Sequence, residues 1–276
     1  VAAPKLTRLN LWGGANSWAE ARAYRHPHTG VQYPSVTSIL KMADKSSLTQ
    51  WAVNLSVDWA VNNIDKLLSM SVERGANVAR YRWKDVRDER AEVGTGVHET
   101  IEAELTGSWN YPELDSEQQL IMEEWHKFRE EHEVELMLSE FTVFDKDSKS
   151  MGTADGYVLI DGVKTLIDLK TSKSMWPEHE YQLAALWHAE DWLVETEEMI
   201  WTSIPKREVE QVAIIHLRAP EFDDWGRKIK EGKHDLVPIT NLDLNYNVYK
   251  AYSDVWYARQ AIADVKKEEA KVVDGF

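Results

Sequence analysis

The stretch "GTADGYVLIDGVKTLIDLKTSK", residues 152 to 173, places Asp155 and Asp168 inside segments that otherwise read as β-strand, with Lys170 two residues after the second aspartate. At its centre the Asp161-Gly162 dipeptide between apolar residues predicts a two-residue type I′ hairpin turn. That turn sets the register. Ile160 then faces Val163, Tyr157 faces Leu166, and Asp155 faces Asp168. Like charges directly opposite one another are destabilising, and a cation between them would remove the penalty. On this reading Asp168→Asn leaves the metal-free protein unchanged or more stable.

Strand alternation adds a second inference. Asp168 and Lys170 project to one face, while Ile167 and Leu169 point into the core. Two carboxylates and an ammonium on one face suit a hard cation and a phosphate. Magnesium prefers carboxylate oxygens. A metal-held water can attack phosphorus while the lysine stabilises developing charge or helps deprotonate the water. The Asp-x-Lys triplet alone is weak, since roughly one is expected by chance in a chain of this length. Two others occur, Asp147–Lys149 in a polar loop and Asp264–Lys266 in a terminal helix, and neither is carried by a strand.

Outward from the hairpin, "VELMLSEFTVFD" has a period of two, with Val134, Leu136 and Leu138 on one face and Glu140 at the same parity. "RAEVGTGVHETIEAEL" reads as a helix with Val93, Val97, Ile101 and Leu105 on one stripe, and its glycines before His98 permit close approach to a sheet. "DSEQQLIMEEWHKFREEH" is a second amphipathic helix carrying Leu120, Ile121, Trp125 and Phe128. After the hairpin, one helix is expected over "PEHEYQLAALWHAEDWLVE", with Pro177 in its first turn. Strands follow at "QVAIIHLR" and "HDLVPIT", then a terminal helix from about Asn247.

Before all of these, the start to about Tyr33 reads as loop with one short hairpin, and Ser35 caps a short helix. A longer helix follows with Leu48, Trp51, Leu55, Trp59, Ile64 and Leu67 at helical spacing. Mixed strands and helices give an α/β class, a mixed central sheet flanked by helices. The organisation expected is an N-terminal, mostly helical region over 1–90 and a core over 91–276.

The 276 residues are 43% hydrophobic, enough for a substantial core, and carry a formal net charge of -15. That balance argues against non-specific nucleic-acid binding by the whole surface and leaves a local basic track open. Arg74, Arg80, Arg82, Lys84, Arg87 and Arg90 form one such track, read against a solvated helix with ion pairs; Arg227 to Lys233 form a second. The absence of cysteine excludes disulfides, zinc-thiolate sites and iron–sulfur clusters. The opening residues lack the apolar stretch of a secretory signal, and no apolar run reaches the ~20 residues of a spanning helix. The expectation is a soluble, cytoplasmic protein without membrane contact. His179 and His188 read as surface residues, and most of the thirteen tryptophans as core.

In this order the pieces resemble the RecB-type branch of the PD-(D/E)XK nuclease superfamily, with a restriction-endonuclease-like core. "GTGVHETIE" is similar to its histidine helix, "SEFTVFD" to a strand bearing an acidic residue, "GTADGYVLI" to the first aspartate strand, "LIDLKTSK" to the Asp-x-Lys strand, and "YQLAALWHA" to the glutamine helix. The front segment "YPSVTSILK" resembles phage-encoded exonucleases of this branch.

The resemblance implies that His98, Asp155, Asp168 and the backbone carbonyl of Leu169 bind Mg²⁺ or Mn²⁺. It implies that Lys170 is the catalytic lysine and Gln182 an orienting residue, and that Glu140 stands where some relatives have a further acidic ligand. Arg82, Arg87, Arg90, Thr171, Lys173 and Tyr181 would contact DNA. Leu186 stands where the family's glutamine motif usually has tyrosine, and Tyr181 or Trp187 are the substitutes at hand. With no cysteine, the iron–sulfur cluster of some relatives is excluded.

The function implied is metal-dependent DNA hydrolysis, exonucleolytic, in phage or bacterial recombination and repair, with a single-strand annealing protein or recombinase as partner. Three alternatives stand beside it: a non-catalytic DNA-binding recombination scaffold, a nicking endonuclease or resolvase, and a metal-dependent hydrolase of a nucleotide.

Overall fold

A computed structural model of the chain describes residues 6–10, 20–43, 46–108, 111–195, 201–223 and 225–273. The front of the chain forms a three-stranded antiparallel sheet, β1 (Leu6–Asn10), β2 (Glu20–Arg25) and β3 (Gln32–Pro34), more order than the loop and single hairpin expected. Ser35 caps α1 (Val36–Ile39) as anticipated, its Oγ accepting the Ser38 N–H at 3.0 Å. Then come α2 (Ser46–Asn62), α3 (Ile64–Leu68) and the 35-residue α4 (Val72–Thr106), which ends at Gly107 in the left-handed conformation. A capping box between Asp115 and Gln118 starts α5 (Ser116–Glu131).

The main sheet is built from β4 (Val134–Asp145), β5 (Ser150–Ile160) and β6 (Val163–Lys170), an antiparallel meander. Asp161 and Gly162 both have positive φ, 50° and 82°, as a type I′ turn requires. Ile160 pairs with Val163 and Tyr157 with Leu166, the register anticipated. After α6 (Pro177–His188), the hairpin of β7 (Asp191–Glu195) and β8 (Trp201–Pro205) extends the sheet beyond β4. On the other side β9 (Gln211–Arg218) pairs with β6 in parallel. A small ribbon, β10 (Glu221–Phe222) with β11 (Lys228–Lys230), precedes β12 (Lys233–Pro238), which closes against β9, and α7 (Leu242–Val273) ends the fold. The seven-stranded order is β12-β9-β6-β5-β4-β7-β8, so β5 is the middle strand and β6 lies beside it, inside the sheet.

Helices cover both faces. Val97 and Ile101 of α4 and Trp125 and Phe128 of α5 pack on Ile167 and Leu169, the inward pair anticipated. On the other face Leu183 and Leu186 of α6 and Tyr249 and Trp256 of α7 pack on Phe141, Tyr157 and Leu166. Hydroxyl groups tie α7 to the β4–β5 turn: Tyr246 donates to Asp145 at 2.6 Å, Tyr249 to Ser150 at 2.7 Å, Ser253 to the Ser148 carbonyl at 2.7 Å and Tyr257 to the Lys149 carbonyl at 2.6 Å.

Several expectations are corrected. The helix expected to run to Glu195 stops at His188, because Trp192 and Leu193 bury themselves as strand against β4. The terminal helix starts five residues earlier, at Leu242. Leu136 and Leu138 do not share a face. A bulge between them shifts the register, so Leu136 packs beneath α4 and α5 and Leu138 beneath α6 and α7. The apolar stripe assigned to α2 is not core, since α2 contains no buried residue. Among the described tryptophans only Trp125, Trp192 and Trp256 are buried.

Candidate active site

The ladder between β5 and β6 ends at Gly156–Ile167, one pair short of the two aspartates. There the Asp155 carboxylate turns to the backbone and accepts the Leu169 N–H at 2.7 Å. His98 reaches the same oxygen from α4, its Nδ1 3.6 Å from Asp155 Oδ2. The glycines ahead of it admit neighbours as the spacing suggested. A Cβ on Gly94 would lie 3.4 Å from Thr171 Oγ1, and one on Gly96 would collide with the Gln118 amide of α5.

Asp168, 1% exposed, forms a close ion pair with the Lys170 ammonium through Oδ2, and the long amide contact of Gln182 approaches its other oxygen at 3.5 Å. The Lys170 contact lacks hydrogen-bond alignment, leaving Oδ2 as a buried carboxylate oxygen with a charge beside it but no aligned donor.

Electrostatics follow from burial. Desolvation, and after it the Asp168 charge, push the Asp155 carboxyl above the usual range; His98, Lys170 and the Leu169 N–H only partly offset this. Burial pulls Lys170 downward, but the carboxylates of Asp168 and Asp155 outweigh it and the ammonium is held above its ordinary value. Lys170 is therefore a fixed cation at neutral pH. Glu140 falls on β4 opposite Asp155, at a positive φ of 44°, a strained conformation of the kind that collects at functional sites. Although the residue presents an open surface, dense surroundings push its carboxyl up to about 7, with Asp155 and Glu102 adding repulsion. Glu102, one turn after His98, accepts the Ser139 hydroxyl at 3.0 Å.

This donor set fits a hard divalent cation: two carboxyls above their ordinary range, an imidazole, and a buried carboxylate oxygen without an aligned donor. Among the described residues no group of three or more His, Asp or Glu side chains is already gathered around one point. Instead Lys170 supplies the positive charge. That pairing argues against the expectation for Asp168→Asn, since the substitution takes the nearer of two carboxylates from the Lys170 ammonium.

His179 was missed by sequence. It lies in the first turn of α6 beside Lys170, and desolvation first, then the Lys170 charge, lower it to about 4, so it is neutral. Its Nδ1 accepts the Trp176 N–H at 3.4 Å. A histidine in the first turn of the helix after the Asp-x-Lys strand was the available signal. His216, paired with Lys170 across β6–β9, is buried and donates from Nε2 to the Ser172 carbonyl at 2.6 Å, holding the loop that follows Lys170. His188 is not a bare surface residue either, because it stacks on Tyr246 at 3.5 Å. Leu186 is core. A Cβ on Gly152 would sit 2.5 Å from its Cδ2, so this position has no room for a tyrosine. Tyr181 lies beside Tyr252, and Trp187 under the Lys206 ammonium.

The anticipated DNA contacts are mostly occupied by carboxylates. Arg82 pairs with Asp85 and Glu89 at 3.3 and 3.4 Å, Arg87 with Asp88 at 2.7 Å, and Arg90 with Glu117. The second basic run is likewise balanced, Arg227 by Asp223, Lys228 by Glu231 and Lys230 by Glu221. Lys173, in the loop after Lys170, is exposed and 3.8 Å from Glu221.

No protein-family model matches the chain, and no curated protein does. Among solved structures it is similar to an alkaline exonuclease from Laribacter hongkongensis, with 10% identity over 87% of this chain and 93% of that one, and a TM-score of 0.38. Likeness at that level leaves function to be argued from the residues. No helix among the described residues is long and apolar enough to cross a membrane.

Proposed function

We propose that the protein is a divalent-metal-dependent DNA nuclease of the PD-(D/E)XK type that hydrolyses phosphodiester bonds from the ends of linear DNA. The observation that carries this reading is the convergence of Asp155, Asp168, Lys170 and His98 where β5 and β6 part. Asp155, Asp168, His98 and the Leu169 carbonyl would hold Mg²⁺ or Mn²⁺, with Glu140 at the margin. Once bound, the ion supplies Lewis-acid polarisation of the phosphate and a more acidic water.

The chain's own residues do the rest. Lys170, held as a cation by the two carboxylates before a metal binds, would stabilise negative charge developing on the phosphate oxygens. Glu140, with its carboxyl near 7, exchanges a proton close to neutrality. Gln182 orients Asp168. Thr171, Lys173 and Tyr181 border the site, while Arg82, Arg87 and Arg90 meet DNA only by exchanging carboxylates for phosphates. A cytoplasmic role in recombination beside an annealing protein or recombinase belongs to the same reading and rests on the family resemblance.

The test is incubation of end-labelled linear and closed circular DNA with Mg²⁺, Mn²⁺ or EDTA, for the parent and for Lys170→Ala. Metal-dependent loss of linear DNA by the parent alone is expected. Cleavage in EDTA, or undiminished cleavage by Lys170→Ala, overturns the reading, and nicking of the closed circle moves it to an endonuclease.

A further inference from the structure

His179 is a polar group beside the site that the proposed reaction leaves unused. Its placement follows from the path of α6. Gln182 reaches Asp168, and Leu183 and Leu186 pack in the same cluster as Leu166, so the helix runs back along β6. His179 stands one turn before Gln182 on the same helix face, and Lys170 stands two residues beyond Asp168 on the same strand face. Three helical residues rise ~4.5 Å and two strand residues ~6.6 Å. The imidazole therefore comes to lie beside the Lys170 ammonium, close enough to feel its charge.

The ring is oriented from behind. Nδ1 accepts the Trp176 N–H at the start of the helix, so the neutral ring carries its proton on Nε2. Among the described residues that nitrogen has no partner and is not buried, unlike the unpaired Nδ1 of His188. A neutral imidazole at a helix N-terminus works as a hydrogen-bond donor and not as a proton carrier. Capping alone does not call for histidine here. Glutamate or glutamine is the usual third residue of a capped helix, but a glutamate beside Lys170 would hold the ammonium and repel a phosphate. Histidine caps with one nitrogen and keeps a neutral donor on the other.

We propose, resting on the nuclease reading above, that His179 is a catalytic residue that donates its Nε2–H to a phosphate oxygen at the bond being cut, beside the contact made by Lys170. Lys170 supplies charge and His179 supplies direction. The donor is fixed before substrate arrives, so it costs no reorganisation as negative charge develops on the phosphate. No proton changes hands.

Steady-state cleavage of end-labelled linear DNA in Mg²⁺ by substituted proteins tests this. Asparagine places an oxygen near Nδ1 and nothing at Nε2, so His179→Asn keeps the cap and loses the donor. Glutamine places its amide near Nε2, so His179→Gln keeps a donor. His179→Ala keeps neither. His179→Asn and His179→Ala should lower kcat about 10²–10³-fold. KM should change little, as for a contact made in the transition state, and His179→Gln should recover most of the loss. Melting curves identify any variant whose fold is damaged, and the asparagine–glutamine pair, alike in charge, still decides if the alanine variant fails to fold. Rescue by asparagine and not by glutamine marks a helix cap only and overturns the proposal. A loss confined to KM, or full activity in His179→Ala, overturns it as well. The nuclease reading survives each of those results, because the parent still cleaves. A parent that cuts no DNA with Mg²⁺ or Mn²⁺ ends that reading and the role of His179 together.

Discussion

Exchanging either aspartate for asparagine removes the same charge, yet the structure assigns the two substitutions opposite signs. Asp168 is 1% exposed and is the immediate partner of Lys170, itself 17% exposed. Removing one member of a buried ion pair costs ~3–5 kcal/mol. Asp155 remains as a second carboxylate for the ammonium, so Asp168→Asn should cost about 1–3 kcal/mol. Asp155→Asn keeps an oxygen for the Leu169 N–H and ends the repulsion with Asp168, a gain of about 0.2–1 kcal/mol. Asp155 has a raised pKa in the folded state. The stability linked to its protonation is therefore present in acid and lost as pH rises through that folded value, and the gain from Asp155→Asn appears only on the alkaline side. In EDTA at pH 8 the two variants should melt about 3–12 °C apart, the Asp155→Asn protein higher. Equal melting, or a less stable Asp155→Asn protein, refutes the assignment of Lys170 to Asp168.

Further outcomes follow from the same geometry. Saturating Mn²⁺ should raise the melting temperature of the parent, by linkage worth ~2.7 kcal/mol at a hundredfold excess over Kd, and should leave Asp155→Asn and Asp168→Asn almost unmoved in the same calorimetric scan. Glu140, raised from 4.5 to about 7, contributes stability present below pH 4.5 and lost as pH climbs through 7. Glu140→Gln should thus stabilise the metal-free protein at pH 8, by about 1 kcal/mol after solvent screening, and by nothing at pH 4, as urea titrations at the two pH values would read. Gly152→Ala sets a methyl 2.5 Å from Leu186 and 3.0 Å from Val36; such overpacking should cost about 1–3 kcal/mol, measured by denaturant midpoint.

The hairpin at the heart of the site was legible because its turn is written locally. Asp-Gly asks for two positive φ values, and once these are granted every pair up to the aspartates follows. The helix stripes of α4 and α5 were legible for a similar reason, each burying one face. What escaped depended on partners distant in sequence. The bulge between Leu136 and Leu138 exists because β4 must serve two cores, and no local pattern announces it. The β7 segment reads as helix from sequence because Trp192 and Leu193 are adjacent and both fully buried, which erases alternation. Electrostatic roles failed at closer range. Like charges across a turn suggested repulsion awaiting a metal, but Lys170 answers Asp168 from its own strand, and the neutral state of His179 arises only once α6 folds back over that lysine.

The hydroxyls of α7 have a consequence for the order in which the molecule is made. The buried Asp145 carboxylate takes a hydrogen bond from Tyr246, and the carbonyl of Lys149 one from Tyr257, 108 positions further along. At ~5–20 residues per second, roughly 5–20 s of synthesis separate that turn from its last donor. A nascent chain that has completed β4 to β6 therefore holds Asp155, Asp168 and Lys170 in sequence but leaves the far end of their sheet with an unsealed polar tip. Ribosome-bound intermediates halted before Tyr246 should be cut by protease at the β4–β5 turn, while a chain that includes α7 resists, so sealing of that turn waits for α7.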